Sequence, residues 1–337
     1  VEKQDKEEDM LSRVSVSRSF VSAVVRYTWA LPHASIRTSA GGGCEFRNSE
    51  MNKVLFALVA LVSSMPAFGA LPTTNSPELQ LVRTIRTNPF SGTAVSAQDP
   101  EGSDFIDADE FWLAADKGSL RAFRITTNGT LVQSISRTTF SNAPRFGGGP
   151  IAGSDRTDDF ESAALAGDLL HIFSGTCCST TTIPAVFRMN PSGGDIVYQD
   201  LPTGSDFPAS ATRSGVIYVG TGKAIRTYDF STNALGLAMN ISGLSGSILG
   251  MDFTPSGEDL LIVTSDQRLF RVNPVNKMVV SGWNLDLTPF GIRDSRSVMV
   301  VPNPVGGYDQ LYVSDGLETR PVGDPLRYAV FIFDVLP

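Results

Sequence analysis

The chain has 337 residues and a formal net charge of −8. Residues 1–69 carry 8 of its 27 basic and 7 of its 35 acidic side chains, so the remaining 268 residues keep 19 and 28; only three of those cations are lysines, Lys117, Lys223 and Lys277. An acidic, lysine-poor surface repels phosphate backbones and argues against a nucleic-acid partner, while 268 residues can bury a large core as one domain.

In chain order, residues 1–50 mix charges early and show no sustained period of 2 or 3.6. Met51, Asn52 and Lys53 then make a short positive start, followed by nine apolar residues from Val54 to Val62 and small residues at Ala67, Gly69 and Ala70. This is the pattern of a secretory signal peptide over 51–69. Nine residues rise only about 14 Å as a helix, too short for a hydrocarbon core of about 30 Å. The simplest reading makes Met51 the initiator and 1–50 a misassigned upstream segment, with a disordered leader as the alternative. The expected product is one domain over 70–337, exported to the periplasm or the medium, without membrane insertion after cleavage, and monomeric.

Five segments of 70–337 share one scheme: an opening strand, a tight turn, an apolar strand, a loop, and a strand with an aromatic-polar-apolar triplet. The apolar strands are EFWLAAD (110–116), DLLHIFSG (168–175), VIYVGTG (216–222), DLLIVTSD (259–266) and QLYVSDG (310–316). The aromatic positions of the triplets are Phe123, Phe187, Tyr228, Phe270 and Phe333. Four of those strands run into turns containing Asn128, Asn190, Asn233 or Asn273, a residue that takes turn geometry cheaply. Short strands repeating at about 45 residues predict an all-β fold, a β-propeller. A sandwich would give no reason for the same triplet to recur. The fifth unit stops at its third strand, and an orphan strand, Leu79–Thr87, precedes the first. Propellers avoid exposed edges by completing one blade from both ends of the chain. Leu79–Thr87 is therefore expected beside the strand of Phe333, giving five blades, or six if residues 88–105 form a degenerate unit.

Asp-Phe pairs recur at Asp104-Phe105, Asp159-Phe160, Asp206-Phe207 and Asp252-Phe253, while the fifth unit reads SVMVVPNP instead. Placed just ahead of the innermost strands, they would surround one end of the central channel. The two enlarged loops, GTCCSTTTIP and DGLETRPVGDPLRY, are expected at that same end. This predicts a ligand-binding face of Cys177, Cys178, Asp315, Glu318, Arg320 and Asp324. It also predicts a carboxylate ring of Asp104, Asp159, Glu161, Asp206 and Asp252 able to hold Ca²⁺; the alternative is that each Asp caps its own turn. Cys177 and Cys178 are vicinal, and a bridge between them would be strained, because adjacent Cα atoms lie near 3.8 Å, below the usual disulfide range. After residue 69 the chain has one histidine, His171, which excludes a multi-histidine metal site. It is expected to be a partly buried strand residue.

The segment DDFESAALAGDLLHIFSG resembles the opening-strand signature of exported bacterial propellers, the phytase-like esterase, lactonase-type and related calcium-associated families. The resemblance covers roughly residues 100–337. It implies a ligand or metal near the channel, with Asp159 and Glu161 at the matching positions. The lone histidine and the lack of lysine near the channel depart from the hydrolytic members. The leading expectation is a binding propeller without catalysis, taking a small molecule, glycan or protein on its acidic face together with Ca²⁺. The alternative is a carboxylate- or metal-assisted hydrolase of lactonase, esterase or glycosidase type. A redox protein using the cysteine pair beside a quinone-type cofactor is a third reading.

Overall fold

The computed structural model describes residues 71–72, 76–107, 109–148, 155–176, 182–202, 205–301, 309–316 and 320–337. The chain divides into two compact units, 1–62 and 63–337, and every described residue belongs to the second. The proposed upstream segment and signal peptide at 1–69 thus lie outside the described residues. Among the described residues no helix is long and apolar enough to cross a membrane.

The strands form five separate antiparallel sheets. After β1 (Glu78–Ile85), the first blade is β2 (Gln98–Phe105), β3 (Glu110–Lys117), β4 (Leu120–Thr126) and β5 (Leu131–Ser136). The second is β6 (Phe160–Ala166), β7 (Leu169–Ser174), β8 (Ala185–Met189) and β9 (Val197–Asp200). The third is β10 (Ala209–Arg213), β11 (Val216–Thr221) and β12 (Ala224–Asp229). Its outer edge is split into β13 (Ala234–Leu235) and β14 (Met239–Asn240), both paired with β12. The fourth is β15 (Ile248–Phe253), β16 (Leu260–Thr264), β17 (Arg268–Asn273) and β18 (Met278–Asp286). The fifth is β19 (Ser295–Val301), β20 (Gln310–Asp315) and β21 (Val330–Leu336), completed on its outside by β1. The innermost strands β2, β6, β10, β15 and β19 lie side by side in a closed ring. The fold is a five-bladed β-propeller.

Closure occurs where the two-ended completion argument places it. Leu81 faces Phe333 in the register, and pairing runs from Glu78↔Leu336 to Ile85↔Val330. Residues 88–105 hold no sixth blade; they contain β2, whose sequence QDPEGSDF is buried over most of its length despite its polarity.

The recurring aromatic residues fill the spaces between blades. Phe123, Phe187, Tyr228, Phe270 and Phe333 are all buried. Between the first two blades, the short helix α1 (Arg137–Ser141) inserts Phe140. The side chain of Ser136 caps that helix by accepting from Thr139 N at 3.1 Å, satisfying one of the orphan N–H groups of its first turn. Phe140 lies edge-on to Phe160 and Phe187, with centroids 4.9 and 5.2 Å away. Truncation at this junction leaves a cavity between two rigid sheets that cannot collapse onto it. Phe187→Ala is therefore expected to cost about 3–5 kcal/mol, measured as a drop in the urea midpoint at unchanged slope.

The third-strand turns follow the asparagine pattern. Asn190 Oδ1 accepts from Gly194 N at 2.9 Å and Asn273 Oδ1 from Val275 N at 3.0 Å. Asn233 takes a left-handed φ of 54°.

The vicinal-cysteine reading is corrected. Cys44, Cys177 and Cys178 all lie outside the described residues, and no cysteine pair stands in the described fold. Neither the bridge nor the redox role is carried further.

Candidate functional site

Register decides which residues share an end of the channel. In each blade the start of the innermost strand faces the end of the second: Gln98↔Lys117, Phe160↔Ser174, Ala209↔Gly220, Ile248↔Thr264 and Ser295↔Asp315. The connections between second and third strands therefore open at this same end, the mouth.

Four of the five innermost strands are bulged at one equivalent position near the mouth. The register skips one residue between Pro100 and Gly102, Phe160 and Ser162, Ile248 and Gly250, and Ser295 and Ser297. The extra residues are Glu101, Glu161, Leu249 and Arg296. A bulge breaks the strand's alternation and re-aims a side chain, and here it brings three charged residues to the mouth. Below it the channel is throttled by small residues. A Cβ on Gly102 would lie 2.4 Å from Ser162 Cα, so only glycine lets the first two blades approach this closely. Ser103 Oγ and Ser297 Oγ are 2.7 Å apart. The remaining axial cavity is about 10 Å³, the room of one water molecule.

Three of the five proposed ring residues meet at the mouth. Asp159 is 5% exposed. Glu161 shares a side-chain hydrogen bond with it, and Asp206 is close enough to act on Glu161 electrostatically. Glu161 and Asp206 both fold over Gly175: a Cβ there would lie 2.7 Å from Asp206 Oδ1 and 2.8 Å from Glu161 Oε1. Burial, then the charges of Asp159 and Asp206, push the Glu161 carboxyl up to about 9. Burial and Asp159 also raise Asp206. Beside them burial and Asp159 push Asp116 up to about 7, opposed by Arg121. Glu101 is held well above the carboxylate range by burial, against the pull of Arg296, whose Nη1 is 3.1 Å from Glu101 Oε2.

The other two members of the proposed ring, Asp104 and Asp252, stand at the opposite end of their strands, facing Trp112 and Leu261. In blades two and three the Asp-Phe pair precedes the innermost strand, whereas in blades one and four it ends it. The repeat is real, but the positions are not equivalent. Asp104 accepts from Leu165 N of the next blade, and Asp252 Oδ2 from Val300 N at 2.8 Å. Both carboxylates latch neighbouring blades together. Burial raises Asp104 to about 7, and burial plus the charge of Asp104 raises Asp252.

The five-residue calcium ring is therefore not assembled. Among the described residues no group of three or more His, Cys, Asp or Glu side chains is arranged to hold an ion.

On the proposed binding face, Asp315, Arg320 and Asp324 come together but are engaged with one another. Arg320 Nη2 is 3.1 Å from Asp315 Oδ2, and its Nη1 is 3.8 Å from Asp324. Asp315 is fully buried and also accepts from Asp294 N at 2.8 Å. This network ties down the last connection of the fifth blade. Glu318 lies outside the described residues, as do Cys177 and Cys178. His171 is buried on β7 with Nδ1 3.2 Å from Leu169 O and its ring against Phe230. Burial lowers it to about 4, and it takes no part in the mouth.

Glu101, Asp116 and Arg296 were not singled out from the sequence, although a signal existed. Each bulged residue is followed by glycine or serine: Glu101-Gly102, Glu161-Ser162, Leu249-Gly250, Arg296-Ser297.

No family model matches the chain, and no curated protein matches it in sequence. Among solved structures it is similar to the glutaminyl cyclase of Myxococcus xanthus. That match has a TM-score of 0.52 at 11% identity, over 77% of this chain and 97% of that one. A hydrazine synthase of Kuenenia stuttgartiensis matches at a TM-score of 0.38 and 13% identity, over 69% of this chain and 61% of that one. The first likeness shows the propeller fold.

Proposed function

We propose that the mouth is an acid–base site and that the protein is a carboxylate-assisted hydrolase. The observation that carries this is the convergence of Glu161 and Asp206 over Gly175, with Asp159 hydrogen-bonded to Glu161. Hydrolysis needs one group that takes a proton from water and one that gives a proton to the leaving atom. Carboxylates crowded together in a desolvated place divide these roles, because they cannot all ionise at once. Glu161 is the acid, and Asp159 or Asp206 is the base. The structural neighbour is an enzyme by its name, which agrees with a catalytic reading, but the residues at the mouth are its basis. The same reading keeps the protein exported, on the strength of the signal-peptide pattern at 51–69.

The test is a panel of p-nitrophenyl acetate, γ-butyrolactone and p-nitrophenyl β-glucoside. At least one is expected to turn over, with an alkaline limb in kcat near pH 9 as Glu161 loses its proton. Glu161→Gln is expected to lower kcat by about 10²–10⁴-fold. A rate unchanged in that variant would remove the acid–base reading. Binding of a ligand without turnover of any substrate would return the protein to a binding role.

A further inference from the structure

We propose that the mouth cleaves glycosides with retention at the anomeric carbon, Asp206 acting as nucleophile and Glu161 first as acid and then as base. The inference rests on the acid–base reading of the mouth and narrows its substrate class and its mechanism.

Glu161 Oε1 and Asp206 Oδ1 both lie within 2.8 Å of the point where a side chain on Gly175 would begin. The two oxygens are therefore no more than about 5.5 Å apart, the separation at which the second carboxyl of a retaining glycoside hydrolase attacks the sugar. Inverting enzymes leave about 6.5–9.5 Å, to admit a water molecule. Two contacts hold the spacing. Gly175 N donates to Asp159 O at 2.7 Å, which fixes the glycine against the strand of Glu161. Ser162 Oγ, next to Glu161 in the chain, donates at 2.7 Å to the carbonyl of Phe207, next to Asp206. Exposure divides the roles. Asp206 is exposed just ahead of β10, where it can meet a substrate carbon, whereas Asp159 is 5% exposed and bonded to Glu161. A second feature concerns the ligand. Ser210, four residues after Asp206, is 5% exposed and its hydroxyl has no hydrogen-bond partner. With Ser103, Ser162 and Ser297 it lines the axial cavity of about 10 Å³. A buried hydroxyl left unpaired is costly, and a ligand rich in hydroxyl groups supplies the missing partner.

The sign of the charge chooses the chemistry. Lys117 Nζ is 2.8 Å from Asp99 Oδ2, and Arg296 is clamped by Glu101 and Asp294 at 3.1 and 2.9 Å. Asp159, Glu161 and Asp206 add further carboxyls to the same place, so the mouth is acidic. Such a place suits the positive charge of an oxocarbenium-like transition state and opposes the negative oxygen of acyl transfer. In the first step an Asp206 oxygen attacks the anomeric carbon and the bond to the glycosidic oxygen breaks. The electron pair left on that oxygen takes the Glu161 proton, the alcohol leaves, and the sugar stays as an ester of Asp206. In the second step water attacks the same carbon while Glu161 takes its proton, and the electron pair of the ester bond returns to Asp206. Two displacements restore the original configuration, and Glu161 ends protonated again.

The experiment compares wild type, Asp206→Ala, Glu161→Gln and Gly175→Ala on a panel of p-nitrophenyl glycosides, p-nitrophenyl acetate and γ-butyrolactone, with the configuration of the released sugar read by proton NMR. The expected result is turnover of at least one glycoside, the sugar first appearing in the configuration of the substrate. Turnover is lost in Asp206→Ala and returns with added azide, as a glycosyl azide of the opposite configuration. Gly175→Ala, whose methyl group would part the two carboxyls, keeps the wild-type circular dichroism and loses about 10²-fold in kcat. A sugar released with inverted configuration, or a wild-type rate in Asp206→Ala, would overturn the nucleophile. Turnover of the ester or lactone alone, lost in Glu161→Gln, would overturn the glycoside class and leave the acid–base reading standing. Insensitivity to Glu161→Gln would instead overturn the acid–base reading. If no substrate turns over, calorimetry decides with isofagomine, a sugar-shaped amine charged at the anomeric position. Binding lost in Asp206→Ala supports the pair, and absent or undiminished binding rejects it.

Discussion

A variant lacking Glu78–Ile85 is expected to lose cooperative folding, or to keep only a small fraction of its stability. This strand is the whole outer edge of the fifth blade, and it makes seven register pairs with β21. β21 is otherwise a central strand, with Val330, Phe331, Ile332, Phe333 and Val335 all buried. Removing its partner exposes a long apolar edge and unpairs its backbone groups. At about 1 kcal/mol per hydrogen bond, with the lost burial added, the cost is on the order of 5 kcal/mol or more, comparable with the total stability of a typical domain. Ring closure is lost with it, because β19 holds β15 on one side and β2 on the other. Thermal unfolding monitored by circular dichroism checks this. A truncated protein with the wild-type transition would show that the terminal strand is dispensable. Adding a synthetic peptide of residues 76–88 in trans should restore part of the transition if closure is the cause.

The second large effect concerns pH. The folded pKa values of Asp104 and Asp116 are raised to about 7 and that of Glu161 to about 9. The folded state therefore binds more protons than the unfolded chain at every pH between the ordinary carboxylate value and these raised ones. Stability is then fully present below about pH 4 as far as these groups are concerned, and falls as pH rises through 7 and on to 9. A fall in Tm of at least about 5 °C between pH 5 and pH 9 is expected, the size that a loss of about 2 kcal/mol produces in a domain of this length. Two substitutions separate the contributions. Asp104→Asn keeps an oxygen for Leu165 N and should flatten the lower part of the curve, towards pH 7. Glu161→Gln should flatten the upper part, towards pH 9. A Tm that rises steadily from pH 5 to 9 would mean that these carboxyls ionise freely in the folded protein.

These two results bear on different levels of legibility. Closure could be seen in the sequence because two unmatched strands, Leu79–Thr87 and the strand of Phe333, had to find each other once the repeat was recognised. The repeat itself was visible because inter-blade cores demand a large aromatic at one point of every third strand. The innermost strands were much harder to see. QDPEGSDF has neither alternation nor β-branched residues, since next to the axis close approach of neighbouring blades favours small residues such as Gly102, Ser103, Ser162 and Ala163. That is why Asp104-Phe105 looked like the start of a strand when it is the end of one. It is also why QDPEGSDF does not display Glu101 as a strand residue, while the more conventional FESAALA displays Glu161.

The amino-acid order alone determined the all-β class, the five units, the closing strand and an acidic face, because periodicity and composition are properties of the chain itself. Only the tertiary structure decided which carboxylates share a place. Four bulges shift the alternation by one residue, and the direction of each innermost strand sends Asp159, Glu161 and Asp206 to the mouth but Asp104 and Asp252 to the far end. A one-residue offset moves a side chain to another face without altering the composition of the segment, so the grouping of charges exists only once the strands are paired.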